Sequence, residues 1–377
     1  MRRHTFFLSI LLLIAGLSKA QTAMQFYDKG DSLKDEKKIP EALAAFKEAA
    51  RLDPYLTEAW YSMGWCSNDL KDYTGAINYL HKALDKWSAV PKVHFELGYA
   101  FEKTNQYDSA TVHLKRCIEL KPDYSLAHKE MGNIAYYKDN KESAYDYYKK
   151  YEELSKLAIT DYLYWYRRGF ICNGLKKYDE ATYSLNKSKE QKPDYINTHL
   201  ELGFAACRLK QTDVAIAHYN KAIAIDPKSH IPYNGIGEVY RDVIKDREAA
   251  MGWYRKALAI NPTERKACFG VGYCLNSLGK YSEAVPYLKT AIEQEDTYTA
   301  AYVELGYSYY MQQSYSLALD YLGKAIKLNS ANTNARYYSG LIYIAQKNKT
   351  MAQKMVDELK GLGSSDASTL QDKVNKM

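Results

Sequence analysis

Glycine recurs at a fixed interval along this chain. It stands at Gly30, Gly64, Gly98 and Gly132, then at Gly169, Gly203, Gly237, Gly272, Gly306 and Gly340, with 34 residues between most neighbours. Alanine keeps step twelve residues later, at Ala42, Ala76, Ala110, Ala144, Ala181, Ala215, Ala284, Ala318 and Ala352. Only after Gly237 is the offset thirteen, to Ala250. Proline closes five periods, at Pro54, Pro122, Pro193, Pro227 and Pro262. So strict a period implies one supersecondary unit copied in tandem, each copy burying its apolar face against its neighbours rather than in one central core.

Numbered from the start of each period, apolar or small residues at positions 4, 7, 8 and 11 form one helical stripe, and 20, 24 and 27 form a second. Gly at 8 and Ala at 20 let two helices approach, and Pro at 32 cannot continue the second helix. The pattern resembles the tetratricopeptide repeat, a helix–turn–helix of 34 residues. Trp60, Met63, Gly64, Ala76, Leu80 and Ala83 carry the resemblance in one period; Tyr302, Leu305, Gly306, Tyr309, Ala318, Leu322 and Ala325 carry it in another. It implies an all-α, right-handed superhelical solenoid over residues 21–366, with a concave groove lined mainly by the first (A) helix of each pair. The expected repeats are 23–56, 57–90, 91–124, 125–158, 162–195, 196–229, 230–264, 265–298, 299–332 and 333–366, with 367–377 as a tail or capping helix. Tyr151 and Lys156 replace the expected alanine and proline, which predicts a long second helix in 125–158. The extra residue of 230–264 is expected in the turn near Lys245-Asp246, where an insertion costs little.

Residues 1–20 stand apart. Arg2, Arg3 and His4 precede an apolar run from Phe6 to Leu17, and Ser18-Lys19-Ala20 supplies small residues for cleavage before Gln21. This predicts a secretory signal peptide and a periplasmic or secreted chain that is not an integral membrane protein, since the run is too short to span a bilayer. Loss of Arg2, Arg3 and Lys19 takes the formal charge from +7 to +4. The expected groove charges balance: Lys34, Lys92, Lys103, Lys129, Arg208, Arg241 and Lys266 face Asp31, Asp35, Glu58, Asp69, Glu102, Glu238 and Asp242. A polyanion would find no net attraction there, so no nucleic-acid partner is expected.

Catalytic and cofactor signatures are explained by the repeat. Gly235-Ile236-Gly237 and Gly270-Val271-Gly272 fall inside A helices without the strand a dinucleotide fold needs. His94, His128 and His199 share position 4, and His113 and His218 share position 23, both ring-packing sites. Cys268 and Cys274 lie about 9 Å apart along one helix, too far to bond. Cys172 and Cys207, on adjacent A helices, are the pair to check; buried thiols are the simpler expectation. The family's carboxylate clamp is matched by Lys129 and Asn133 but broken by Arg167, Asn197 and Glu201. The prediction is a non-enzymatic chain with no metal and no cofactor.

Position 9 departs from family habit. It holds Trp65, Tyr99, Phe170, Phe204, Tyr273 and Tyr307 where the family commonly has a small or polar residue. Position 5 adds Tyr27, Tyr61, Phe95, Tyr166 and Phe269 one turn away. Position 12 adds Asn68, Asn173 and Asn276, which could hydrogen-bond an extended backbone. These rings either line a binding groove or pack between helices. Most of the 37 tyrosines, Tyr309, Tyr310, Tyr315 and Tyr321 among them, fall where the family favours tyrosine. The resemblance implies a protein-interaction adaptor of the bacterial envelope holding a protein or peptide segment; a glycan-binding module using the same rings is the alternative.

Overall fold

A computed structural model describes residues 20–155 and 158–377, so the expected signal peptide, but for Ala20, lies outside the described residues. The chain divides into two compact bodies, one ending at Thr160 and one beginning at Asp161. The first contains helices 20–35, Ile39–Leu52, Thr57–Asp69, Tyr73–Leu84, Pro91–Lys103, Tyr107–Leu120, Ser125–Tyr137 and Lys141–Leu154. The second contains Tyr162–Gly174, Tyr178–Gln191, Ile196–Arg208, Thr212–Ile225, Ile231–Glu238, Arg247–Ile260, Arg265–Ser277, Tyr281–Gln294, Thr299–Met311, Tyr315–Leu328, Thr333–Ala345, Lys349–Gly361 and Asp366–Asn375. No strand occurs among the described residues, and each body is a solenoid of stacked helix pairs as the repeat predicts.

The stripes do what their spacing implies. Ala76, Leu80 and Ala83 on one B helix are wholly buried and join Val93 and Leu97 of the next A helix in one core. Glycine at position 8 is a matter of space: a Cβ on Gly64 would fall 2.4 Å from Leu80 Cγ. A polar staple recurs at the joints between repeats. Trp60 Nε1 donates to the Pro54 carbonyl at 2.9 Å, and the Nε2 atoms of His94, His128 and His199 make the same bond to Ser88, Pro122 and Pro193. The position-4 histidines are therefore more than packing rings, since each satisfies a carbonyl left over at the preceding turn. All six cysteines are buried and free, Cys172 and Cys207 included.

Two local expectations need correction. The B helix of 125–158 does not run long: it ends at Leu154 after 14 residues, the same length as Tyr107–Leu120. Tyr151 simply occupies the alanine slot, 9% exposed. The insertion in 230–264 is not in the turn either. In the other repeats the turn residue with positive φ is position 15, as in Lys210 (φ 60°) and Gly279 (φ 76°); here it is Lys245 (φ 68°), at position 16. The extra residue is absorbed upstream, where Val239–Ile244 winds as a π-helix. The closing bond changes accordingly, from Gln211 N–H to Ala206 O in one repeat to Asp246 N–H to Tyr240 O, one residue further back.

The C-terminal helix Asp366–Asn375 lays Leu370 and Val374, both fully buried, against Val356 and Leu359. It covers the apolar face that a further repeat would otherwise take.

Candidate functional site

All six position-9 rings are half-buried, neither free nor enclosed. For three of them the packed side meets a recurring partner, the tyrosine at position 17 of the preceding repeat. Tyr73 meets Tyr99 edge-on at 6.2 Å, Tyr178 meets Phe204 at 6.3 Å, and Tyr281 meets Tyr307 at 5.9 Å. Edge-to-face geometry of this kind adds about 0.5–1.5 kcal/mol to area burial. The rings thus help fix the stacking of neighbours while keeping part of their surface open.

Position 5 packs more tightly, against the ring that ends the same repeat. Phe95 lies 4.9 Å from Tyr124, Tyr166 lies 5.2 Å from Tyr195, and Phe269 lies 5.0 Å from Tyr298. Phe95 is only 8% exposed. Tyr61 sits 6.0 Å from Trp87 with the Lys92 ammonium 4.3 Å above it, and Tyr27 packs on Phe46 at 5.4 Å. In the first body the open sides of Trp65 and Tyr99 carry cations, Lys34 at 5.9 Å and Lys103 at 4.8 Å.

The position-12 asparagines have a different task from the one their sequence position suggested. Asn68, Asn173 and Asn276 are buried, and each Nδ2 donates both to the carbonyl and to the carboxylate of a glutamate at position 6 of the next repeat. The carboxylate distances are 2.7 Å to Glu96, 2.7 Å to Glu201 and 2.9 Å to Glu304. Their amide N–H groups latch helix to helix and are not spare for a ligand backbone. Burial raises all three glutamates, Glu96 to about 7, partly offset by the asparagine bond.

Position 6 also shows a pairing at six joints that the sequence carries but that only packing explains. Leucine at position 24 is followed by glutamate at position 6 of the next repeat at four joints, Leu80–Glu96, Leu114–Glu130, Leu185–Glu201 and Leu288–Glu304, though Leu322 is followed by Tyr338. Tyr219 and Tyr254 at position 24 are followed by Gly235 and Gly270, whereas Tyr148 is followed by Arg167. A Cβ on Gly235 would fall 2.3 Å from Tyr219 Cζ, so the phenol occupies the space a glutamate takes elsewhere.

This exchange borders a recess of the second body. A cleft of about 450 Å³ is lined by Asn197, Leu200, Glu201, Phe204, Tyr219, His230, Ile231, Asn234, Gly235, Glu238, Glu264 and Lys266. It shares Glu201, Phe204 and Lys266 with a second cleft of about 430 Å³ that reaches Phe170, Asn173, Tyr178 and Arg208. Phe170 and Phe204 are thereby brought to one continuous surface. Tyr273 and Tyr307 line neither cleft; Tyr273 instead takes the Arg241 guanidinium 5.6 Å above its ring. Arg241 forms a bidentate pair with Asp242, both bonds 2.8 Å. Sequence reasoning placed Glu238, Lys266 and Glu201 singly; their convergence could have been suspected from two departures, Gly235 and Glu238, on one helix.

Among the described residues no group of three or more His, Cys, Asp or Glu side chains could hold a metal ion, and no helix is long and apolar enough to cross a membrane. Residues 27–91 and 275–333 match one model of the tetratricopeptide repeat, and residues 91–124 and 196–229 match another, together about half of the chain. With the helix pairs described above, this places the chain in the tetratricopeptide-repeat family, whose fold serves as a protein-interaction scaffold and is generally non-catalytic. It is 25% identical over 221 residues to anaphase-promoting complex subunit 3 of Schizosaccharomyces pombe, covering 54% of this chain. It spans about a third of the length of that relative. Its fold resembles that of the anaphase-promoting complex heterotetramer Cut9–Hcn1 (TM-score 0.56, 15% identity, 93% of this chain and 76% of that one). It also resembles PilW, a type IV pilus biogenesis factor (TM-score 0.51, 20% identity, 57% of this chain and 100% of that one).

Proposed function

We propose that the chain is a non-enzymatic scaffold of the bacterial cell envelope, built of about ten tetratricopeptide repeats, that holds an extended protein or peptide segment along the ring-bearing A helices. The observation that carries this reading is the pair of clefts meeting at Phe204, with Phe170 at one end and a mixed polar wall around them. Half-exposed aromatic anchors beside hydrogen-bonding side chains suit a peptide, whose backbone and side chains need both. A sugar ring stacks on an open aromatic face, whereas Phe204, where the two clefts meet, is held edge-on by Tyr178, which favours the peptide. The envelope assignment rests on the leader-like residues 1–20.

The test uses a library of capped nine-residue random peptides passed over the immobilised chain. Phe170→Ser and Phe204→Ser should each lower retention at least about tenfold while leaving the helical circular dichroism unchanged; two truncated anchors on one surface can lose that much. Equal retention by both variants and the parent would overturn the reading. Release of the natural leader from an exported precursor, read by N-terminal sequencing at Gln21, tests the compartment.

A further inference from the structure

The A helix of 230–264 combines two substitutions on one face, the first shared with Gly270 of the next repeat and the second its own. Position 6 is Gly235 where 196–229 and 299–332 have Glu201 and Glu304, and position 9 is Glu238 where they have Phe204 and Tyr307. With the Tyr219 ring filling the place of the glutamate, the missing ring at position 9 leaves the 450 Å³ cleft, floored by Tyr219. Its walls bear three carboxylates, Glu201, Glu238 and Glu264, against one ammonium, Lys266.

Two of the carboxylates are engaged. Glu201 holds Asn173, and Glu264 accepts from Asn234 Nδ2 at 2.8 Å and from the Ala267 N–H that it caps. Glu238 has no hydrogen bond or ion pair among the described residues. Lys266, Arg241 and Arg208 are the cations whose field reaches it, opposed by Asp242, yet burial still raises its pKa above the usual carboxylate value. Arg241 is committed to Asp242, and neither Lys266 nor Arg208 closes on Glu238. A second atom in the same wall is also unmatched. Asn234 is 5% exposed, its amide is oriented by Glu264, and its Oδ1 therefore faces as an acceptor with no donor. The cleft is rich in acceptors and short of donors, and buried acceptors are costly to leave unpaired.

We infer that this cleft is a specificity pocket for a lysine or arginine side chain of the bound segment, its aliphatic stem against Phe204 and Leu200 and its cationic head on Glu238. The inference rests on the groove reading above, but it names a preference that a ring-lined groove alone would not have. A cation closing on a half-buried carboxylate gains more than at an open surface, because screening is weaker there.

The probe is the same capped nine-residue library, divided into four pools whose central residue is fixed as Arg, Lys, Gln or Glu. The parent chain should retain the Arg and Lys pools at least fivefold over Gln, and the Glu pool least. Glu238→Gln, nearly isosteric, should bring the Arg and Lys pools down to the Gln level while its unfolding midpoint does not fall. Lys266→Ala, which removes the competing ammonium, should widen the preference. Peptide retention without a basic preference, or a preference surviving in Glu238→Gln, overturns the pocket and leaves the groove reading standing. Retention of no pool by the parent chain overturns both.

Discussion

The Ser308 hydroxyl lies 2.7 Å from Asn276 Oδ1 and completes the latch between two repeats. The amide side of Asn276 already donates to Glu304, so every polar atom of that buried side chain is matched. The two sister latches lack this last bond: Asn68 and Asn173 have the same glutamate contacts, but their Oδ1 atoms are unpaired. The reason is visible in the register, because the residues 32 positions on from them are Ala100 and Ala205 rather than serine. Installing Ala100→Ser or Ala205→Ser should therefore stabilise the chain by about 1 kcal/mol each, and Ser308→Ala should cost about as much. Urea denaturation of the three variants checks this; a loss of stability in both serine variants would show the latch cannot accept a hydroxyl at those repeats.

Glu96 predicts a pH dependence of opposite sign to that of an ordinary surface acid. Its folded-state pKa is pushed up to about 7 from 4.5, burial outweighing the hydrogen bond from Asn68. Below about pH 4.5 both folded and unfolded chains hold the proton. Between there and about pH 7 the unfolded chain ionises first, so this residue's contribution to stability falls as pH rises and is lost above the folded value. The full difference is of the order of 3 kcal/mol. Glu96→Gln keeps an oxygen for Asn68 and should leave stability at pH 4 unchanged while raising it at pH 8. Equal effects at the two pH values would contradict the assignment.

The exchange of a Leu185–Glu201 joint for a Tyr219–Gly235 joint makes a double-mutant prediction. Gly235→Glu alone should destabilise the chain by several kcal/mol, because its Cβ meets the Tyr219 ring. Tyr219→Leu alone should cost about 2–3 kcal/mol through the cavity it leaves. Together they recreate the Leu185–Glu201 arrangement already present one repeat earlier, so the double variant should be more stable than Gly235→Glu by well over 1 kcal/mol. Simple additivity of the two losses in thermal or urea unfolding would mean that the residues do not share one space.

How much of this was legible in the sequence follows from distance along the chain. Gly64 and Leu80, or Ala76 and Ala83, act within one repeat, and their period alone gives an all-α tandem fold. The position-9 rings were equally visible as a departure, but whether they were open depended on tyrosines of the preceding repeat, and the answer is that they are half packed. Asn173 and Glu201, separated by 28 residues, each looked like a free groove residue until the stacking brought them to 2.7 Å. The cleft was the least legible part, since it arises where Tyr219, Gly235 and Glu238 from two repeats meet. A reading made one position at a time passes over such a joint feature.

The π-helical segment Val239–Ile244 gives the last prediction, because its cause is a single surplus residue. The Asp246 closing bond is the ordinary one lengthened by one residue, and Lys245 keeps the left-handed turn that position 15 has elsewhere. Ile244, 42% exposed, sits at the surplus point just before that turn. Deleting it should let the A helix of 230–264 wind as α throughout, with Asp246 still closing on the Tyr240 carbonyl but now five residues back, as Gln211 closes on Ala206. The π form is the less favourable winding, so stability should hold or rise by up to about 1 kcal/mol, since few buried contacts leave with an exposed side chain. Arg241 is the group that would move: it now stacks 5.6 Å from Tyr273 and 5.9 Å from Phe269, within the widened turn. Unfolding curves of the deletion variant decide the matter. A fall of several kcal/mol would mean that the wide turn is needed for packing and that the inserted residue is held in place by the Arg241 stack rather than merely tolerated.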